Sequence, residues 1–250
     1  MELSERFWNA SLEELKKGYS RLGDQYVCLL CGSTCEQGVI YPVEDVLYEA
    51  ERYMRLHIRM AHQSVFSYLI QLNKRLTGLT DHQNSLLRLF YEEYTDAQIQ
   101  KELGIGSAST IRNHRFVLKE KERQSKIFLT LMELLKEKDS HAPRFVEVHQ
   151  TATMVDDRYN ITLEEQEKVL KKYFPEGKEG LLKAFPSRQK HKLIVLRAIA
   201  ARFERDRKYH EKEVNEVLSA VHDDHVTLRR YLIEYGFMDR KPDGSEYWLT

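Results

Sequence analysis

The sequence predicts a mainly α, multi-domain protein with a metal knuckle near its N-terminus, a tri-helical unit in the middle and a small β-hairpin at its end. Three observations predict it. Apolar residues recur at three- and four-residue intervals over much of the chain, the pattern of helices with one buried face. Cys28-x2-Cys31 is followed after 25 residues by His57-x4-His62, four donors at metal-ligand spacing. The tail alternates on either side of Asp243-Gly244, as two short strands across a turn do. At 250 residues, 42% hydrophobic and 31% charged, the chain has room for two or three small domains. Their boundaries read as 1–77, 78–138, 139–184 and 185–250.

Residues 4–21 read as a short helix whose second half takes a capping box from Ser11 and Glu14. Tyr26 to Tyr41, with Gly32 and Gly38, predicts a small hairpin carrying the knuckle. Pro42 then precedes a long helical pattern from Val43 to Leu76, which Gly78 stops, and Thr80-Asp81 opens a helix over 81–93. Helix, turn and helix follow at 95–103, 104–106 and 107–121. The last continues into 122–138, with Ile127, Phe128, Leu131, Leu134 and Leu135 on one broad face. Residues 139–160 have loop character. A second capping box, Thr162 to Glu165, starts the next helix, and Gly177 and Gly180 end that region. Ser187 to Phe203, His210 to His222 and Asp224 to Tyr235 read as three helices ahead of the hairpin.

Structural zinc takes two thiolates from a tight knuckle and two imidazoles from a following helix, at Cys spacings of ~2–4 and His spacings of ~3–5. Cys28, Cys31, His57 and His62 fit that description, and Gly32 permits the turn after the second thiolate. Residues five apart lie ~140° apart on an ideal helix, so His57 and His62 converge only where the last turn is distorted or ends. A metal-free Cys pair with two surface histidines is the competing reading. Cys35 stands either as a neighbouring free thiol or as a substitute ligand. Four protein donors, with no Glu directly after the first His, point to a structural rather than a catalytic ion. The run Met54 to His62, with Tyr26 before the first Cys, resembles the helix end of a two-Cys, two-His zinc finger. The module is therefore expected to be zinc-finger-like. It departs from that family in its long Cys31-to-His57 stretch, where about 12 residues are usual, which implies an enlarged hairpin.

Ser107 is placed to cap the helix that follows it, and Ile111 and Leu118, seven apart, to face inward. Ser109, Thr110, Arg112, Asn113 and Arg115 are left on an outward surface of net positive charge. Such a helix suits a major groove, where Arg pairs with guanine and Asn with adenine, while His114 and Lys119 are better placed for phosphate. For any one of these charges, simple solvation of an exposed helix is the alternative. Leu79-Thr80, Leu86-Leu87-x-Leu89, Thr95 through Ile105, and Ser107-x-x-Thr110-Ile111-Arg112-Asn113-His114 resemble the LuxR-type effector domain of bacterial transcription factors. They are also similar to sigma factor region four. The resemblance covers about residues 79–121, with Gly106 as an extra residue, and implies a tri-helical helix-turn-helix with Thr110, Arg112 and His114 at the DNA contacts.

Three helices, a glycine stop at Gly236 and a two-stranded ribbon make a winged-helix-like pattern over 185–250. Phe185-Pro186-x-x-x-Lys190-x-Lys192 and Tyr231-Leu232-x-x-Tyr235-Gly236-Phe237-Met238-x-Arg240 resemble a domain of unknown function appended to bacterial helix-turn-helix regulators. If this part binds nucleic acid, His225, Thr227, Arg229 and Arg230 face the groove, and Arg240 and Lys241 reach phosphate. Winged helices also serve as protein-docking units, an alternative of nearly equal weight. His222-Asp223-Asp224-His225 reads as an acidic helix start rather than a metal site, since carboxylates there complement the helix dipole.

Lys plus Arg equals Asp plus Glu at 39 each, so a basic surface must be local, as over 107–126 and 188–208. Three cysteines within 28–35 suit a metal knuckle in a reducing cytosol, and no 18-residue apolar run occurs. No phosphate-cradling glycine loop, nucleophile elbow or metalloprotease helix is present, so the chain is not read as an enzyme. The expectation is a cytoplasmic, membrane-free, homodimeric regulator with structural zinc. Its partners would be double-stranded DNA and RNA polymerase. The alternatives are a protein-interaction adaptor and, more weakly, an RNA binder.

Overall fold

A computed structural model describes residues 3–205 and 207–250. About half of it is helical, with three small antiparallel sheets. The chain up to Asn73 forms one compact unit together with Arg144–Thr250, and Lys74–Pro143 forms a second.

In the first unit the expected helix over 4–21 is two helices, α1 (Leu3–Asn9) and α2 (Leu12–Lys17). The Ser11 and Glu14 side chains each accept the other residue's backbone N–H, which makes Ser11 an N-cap and so a break. Gly18 at φ 80° then turns the chain into β1 (Tyr19–Leu22). β1 pairs with β2 (Gln25–Cys28), and β2 with β3 (Thr34–Glu36). A separate ribbon, β4 (Ile40–Val43) and β5 (Val46–Glu49), turns through Glu44 at φ 51°.

The long helix expected from Val43 to Leu76 is thereby corrected. The helix is α3 (Ala50–His62), followed by α4 (Val65–Leu69), with α5 (Lys74–Thr77) in the second unit. Gln63 at φ 63° and the Ser64 N-cap end the first pattern, because the apolar positions on either side of them belong to different helices. Phe7, Tyr19, Leu29, Leu30, Met54 and Ile58 form the core here.

The rest of this unit packs α9 (Leu163–Tyr173), α10 (Gln189–Ala200), α11 (Glu211–Ser219) and α12 (His225–Glu234) around Leu193, Leu196, Ile199, Val214, Leu218 and Leu232. The ribbon β6 (Met238–Arg240) and β7 (Tyr247–Leu249) closes it, with Tyr247 fully buried. The segment 146–153 has no regular structure but runs through the middle of the unit. Trp8 Nε1 donates to Val148 O at 2.6 Å, and Asn73 Nδ2 to Thr153 O at 3.0 Å. Thr151 Oγ1 donates to Gly236 O at 2.7 Å and Thr153 Oγ1 to Glu234 O at 2.5 Å. A loop with buried backbone needs such partners.

In the second unit α6 (Asp81–Tyr91), α7 (Asp96–Leu103) and α8 (Ala108–Lys136) pack around Leu86, Ile99 and Ile111, all fully buried. Thr80 with Gln83, and Thr95 with Gln98, make reciprocal capping boxes, and Gly104 in the left-handed conformation ends α7. The stretches 107–121 and 122–138 are one uninterrupted 29-residue helix. Among the described residues no helix is long and apolar enough to cross a membrane.

Candidate metal centre

β2 ends at Cys28, and the chain doubles back on itself within five residues. Gly32 N–H bonds Cys28 O at 2.9 Å, Cys28 N–H bonds Ser33 O at 2.8 Å, and Gly32 sits at φ 87°. That tight turn points both thiols at α3, which lies over the sheet. The 25-residue insertion carries β3 and the β4–β5 ribbon and returns the chain to α3 at the right height. His62 is the last residue of α3, so the ~140° angular offset from His57 is relieved where the helix stops.

The result is a cluster in which all four ligand atoms lie within 4.8 Å of one another. Cys28 Sγ is 3.6 Å from His62 Nε2, and Cys31 Sγ is 3.2 Å from His57 Nε2. Zn–S bonds of ~2.3 Å and Zn–N bonds of ~2.0–2.1 Å at tetrahedral angles place S and N about 3.6 Å apart, so the donor set fits such an ion. The four residues lie close enough to bind a metal ion. Cys35 is outside the cluster: its thiol is buried, donates to Ala50 O at 3.1 Å, and burial pushes its pKa up.

Each knuckle sulfur shifts the titration of the other. The hydrogen bond from Cys28 pushes Cys31 strongly down, assisted by His57, His62 and Ser33, and the same bond pushes Cys28 up. A lowered thiol favours the thiolate, the form a metal requires. Sequence reasoning missed two neighbours. Ser33 Oγ lies 3.1 Å from Cys31 Sγ, a contact its position two residues on could have signalled. Tyr68 packs edge-on to His62 at 5.7 Å, with its hydroxyl buried and unbonded; no spacing rule links α4 to the ligands.

The residues expected to meet DNA fall into two groups. On α8, Ile111 is buried and Leu118 half-buried, while Ser109, Thr110, Arg112, Asn113 and Lys119 are exposed. Ser109 and Thr110 bond the Ser107 hydroxyl, and Lys119 pairs with Glu122 at 2.6 Å. His114 Nε2 meets His82 Nε2 at 3.3 Å. Arg115 is pressed onto the Phe90 ring at 3.7 Å and bonds Asp96 at 2.9 Å, so it holds α6, α7 and α8 together rather than standing free. Arg112 and Asn113 show no such engagement among the described residues, and Phe116, one turn on, is 59% exposed.

In the C-terminal part Arg229 does not face outward. Its guanidinium bonds Asn215 and pairs with Glu211 at 2.9 Å, and its side chain is only 14% exposed. Glu211, an exposed acidic neighbour at the start of α11, captured it. Thr227 N–H is held by the Asp224 carboxylate, which caps α12 and whose pKa is lowered by that residue's two bonds. Lys241 pairs with Glu246 at 2.8 Å, Arg240 lies on the same ribbon, and Arg230 and half-exposed His225 remain toward solvent. His222 and His225 join no metal-ligand cluster among the described residues.

No curated protein and no solved structure matches the chain. Residues 181–249, α10 through β7 with the loop ahead of them, match a family described as an uncharacterized protein conserved in bacteria (DUF2087), so the family resemblance is established for that quarter of the chain alone.

Proposed function

We propose that the protein is a DNA-binding transcriptional regulator in which α8 reads duplex DNA and Cys28, Cys31, His57 and His62 hold a structural zinc ion. The observation that carries the DNA reading is the exposed, unengaged pair Arg112 and Asn113 on the first turns of a capped helix whose other face is anchored by Ile111. That is the disposition of a helix-turn-helix recognition helix, with donors matched to guanine and adenine edges. Lys119, Arg123 and Lys126 follow on the same face of the helix, Lys119 and Arg123 each paired with a glutamate three residues away. The LuxR-type reading of 79–121 and the winged-helix-like reading of 185–250 belong to this proposal. When bound, zinc would tie the β2–β3 knuckle to α3; the chain's own part is to bring the four donors within 4.8 Å of one another.

The test is genome-wide footprinting with wild type and with Arg112→Ala/Asn113→Ala. A shared site list lost in the variant, together with a steep salt dependence on random duplex, supports the reading. Binding that is indifferent to the pair and to salt refutes it.

A second reading, a protein-interaction adaptor docking on RNA polymerase or another protein, is favoured by one observation. Ile127, Phe128, Leu129, Leu131, Met132, Leu134 and Leu135 stand open on the C-terminal half of α8, each more than a third exposed. They leave a run of large apolar side chains uncovered, the kind of surface that marks a protein contact. Within the regulator reading the same face pairs two copies of α8 into a homodimer.

A further inference from the structure

We propose that His82 and His114 form a second metal site, open to solvent, for a divalent transition ion of tetrahedral habit such as zinc. The inference stands whether or not α8 reads DNA.

The two imidazoles come from different helices, His82 from the first turn of α6 and His114 from α8. Their Nε2 atoms nonetheless meet at 3.3 Å. Two imidazole nitrogens on one tetrahedral ion, each at ~2.0–2.1 Å from it, stand about 3.3–3.4 Å apart. At the right angle of a square-planar ion the same bonds would set them about 2.8–3.0 Å apart. The observed spacing is the edge of the tetrahedron. A hydrogen bond from one ring to the other is the competing account, but 3.3 Å lies just beyond the ~2.7–3.2 Å of ordinary N–H···O bonds. Ring orientation agrees with shared ligation. The two rings stand edge to face at 64° with centroids 4.8 Å apart, and His57 and His62 of the four-donor cluster stand edge to face at 80° and 5.4 Å.

The second unit holds the pair in place. Leu86, one turn after His82, and Ile111, one turn before His114, are fully buried in one core with Ile99. The Thr80–Gln83 capping box fixes the start of α6, and Lys121 Nζ donates to Gly78 O at 2.7 Å just ahead of it. Ligands carried on helices that a core has locked keep their spacing before any ion arrives.

The same geometry sets the character of the site. His82 is exposed and His114 half-buried, so an ion enters from solvent. No third Cys, His or carboxylate joins the pair among the described residues, which leaves two tetrahedral positions to water. Such an ion exchanges readily: it is lost on purification and returns from added metal, whereas four protein donors retain theirs. Imidazole nitrogen selects zinc and its neighbours over magnesium or calcium, which take oxygen ligands. An ion there would staple the start of α6 to α8 and engage His114, one of the side chains expected to meet phosphate.

The experiment uses the full chain with its four-donor centre filled and excess metal removed by desalting. Zinc chloride is titrated in by calorimetry with magnesium chloride as the control, and thermal unfolding is followed at each end point. The expected result is one further zinc equivalent with a raised Tm, and no response to magnesium. His82→Gln and His114→Gln should each weaken that equivalent by at least about tenfold, since even an outer-shell contact to a metal ligand is worth that much. Glutamine suits a helix at either position, so the variants keep the fold. Both leave Cys28, Cys31, His57 and His62 intact, so their difference from wild type reads the second site alone. Absence of a further equivalent means a plain hydrogen bond between two imidazoles and overturns the proposal. A further equivalent that survives unchanged in both variants places the ion on other residues and overturns it equally.

Discussion

Gly236 is the position where one added carbon should do most damage. It follows α12 at φ 76°, a conformation that costs a residue with a Cβ roughly 1–2 kcal/mol. A Cβ there would also stand 2.1 Å from the Thr151 carbonyl oxygen, which is backbone and cannot rotate away. To make room, segment 149–153 must retreat. That strains the Thr151-to-Gly236, His149-to-Tyr235 and Thr153-to-Glu234 bonds, each worth about 1 kcal/mol. Gly236→Ala should therefore destabilise this unit by roughly 3–5 kcal/mol, or about 6–20 °C in Tm. Gly244→Ala is the control: it shares the left-handed backbone at φ 73°, but its nearest neighbour is 3.6 Å away, so it should lose only about 1 kcal/mol. Both tryptophans, Trp8 and Trp248, belong to this unit, so urea unfolding followed by Trp fluorescence reports on it alone. Equal losses in the two variants would refute the claim that segment 149–153 is wedged against α12.

Purified protein should carry about one zinc, lost in Cys28→Ser and kept in Cys35→Ser; elemental analysis decides, and a folded metal-free wild type rules the site out. The His149 pKa is pushed down to about 3 by burial and then by Arg197 and Arg205, against 6.5 ordinarily. Between those values the unfolded chain binds a proton that the folded chain refuses. Stability should accordingly be fully present above about pH 6.5 and fall toward pH 3, by up to about 1.4 kcal/mol per pH unit from this group. Urea midpoints from pH 7 to 4 should show a shallower slope in His149→Gln; the same slope in both proteins refutes the assignment. Leu131→Asp/Leu134→Asp should convert a dimer to a monomer in sedimentation while the α6–α8 core stays folded, since neither side chain touches Leu86, Ile99 or Ile111. A wild type that sediments as a monomer removes the pairing.

The metal ligands and the capped helix starts at Thr80, Thr95 and Ser107 were legible in the sequence because both are short-range. A capping box spans three residues, so Ser11 with Glu14 declares itself without the rest of the chain. A knuckle needs only Cys-x2-Cys and a glycine, and the partner histidines are recognised by their chemistry. Where α3 begins was not legible. The apolar rhythm from Val43 onward runs through a ribbon and two helices, and only the left-handed turns at Glu44 and Gln63 divide it. The fate of individual arginines was equally hidden. Arg115 and Arg229 carry the same charge as Arg112, but Phe90, Asp96, Glu211 and Asn215 reach them from other helices.

Composition and spacing by themselves determined that helices make up about half of the chain, that four donors can meet one ion, and that a capped helix begins after Ser107. Only the tertiary structure decided that the unremarkable stretch 146–153 is an internal strut. Its partners, Leu29 at one end and Gly236 at the other, lie 121 and 85 residues away in sequence. Hydrogen bonds at that separation leave no periodic trace, because they depend on where whole elements come to rest and not on which residues are neighbours.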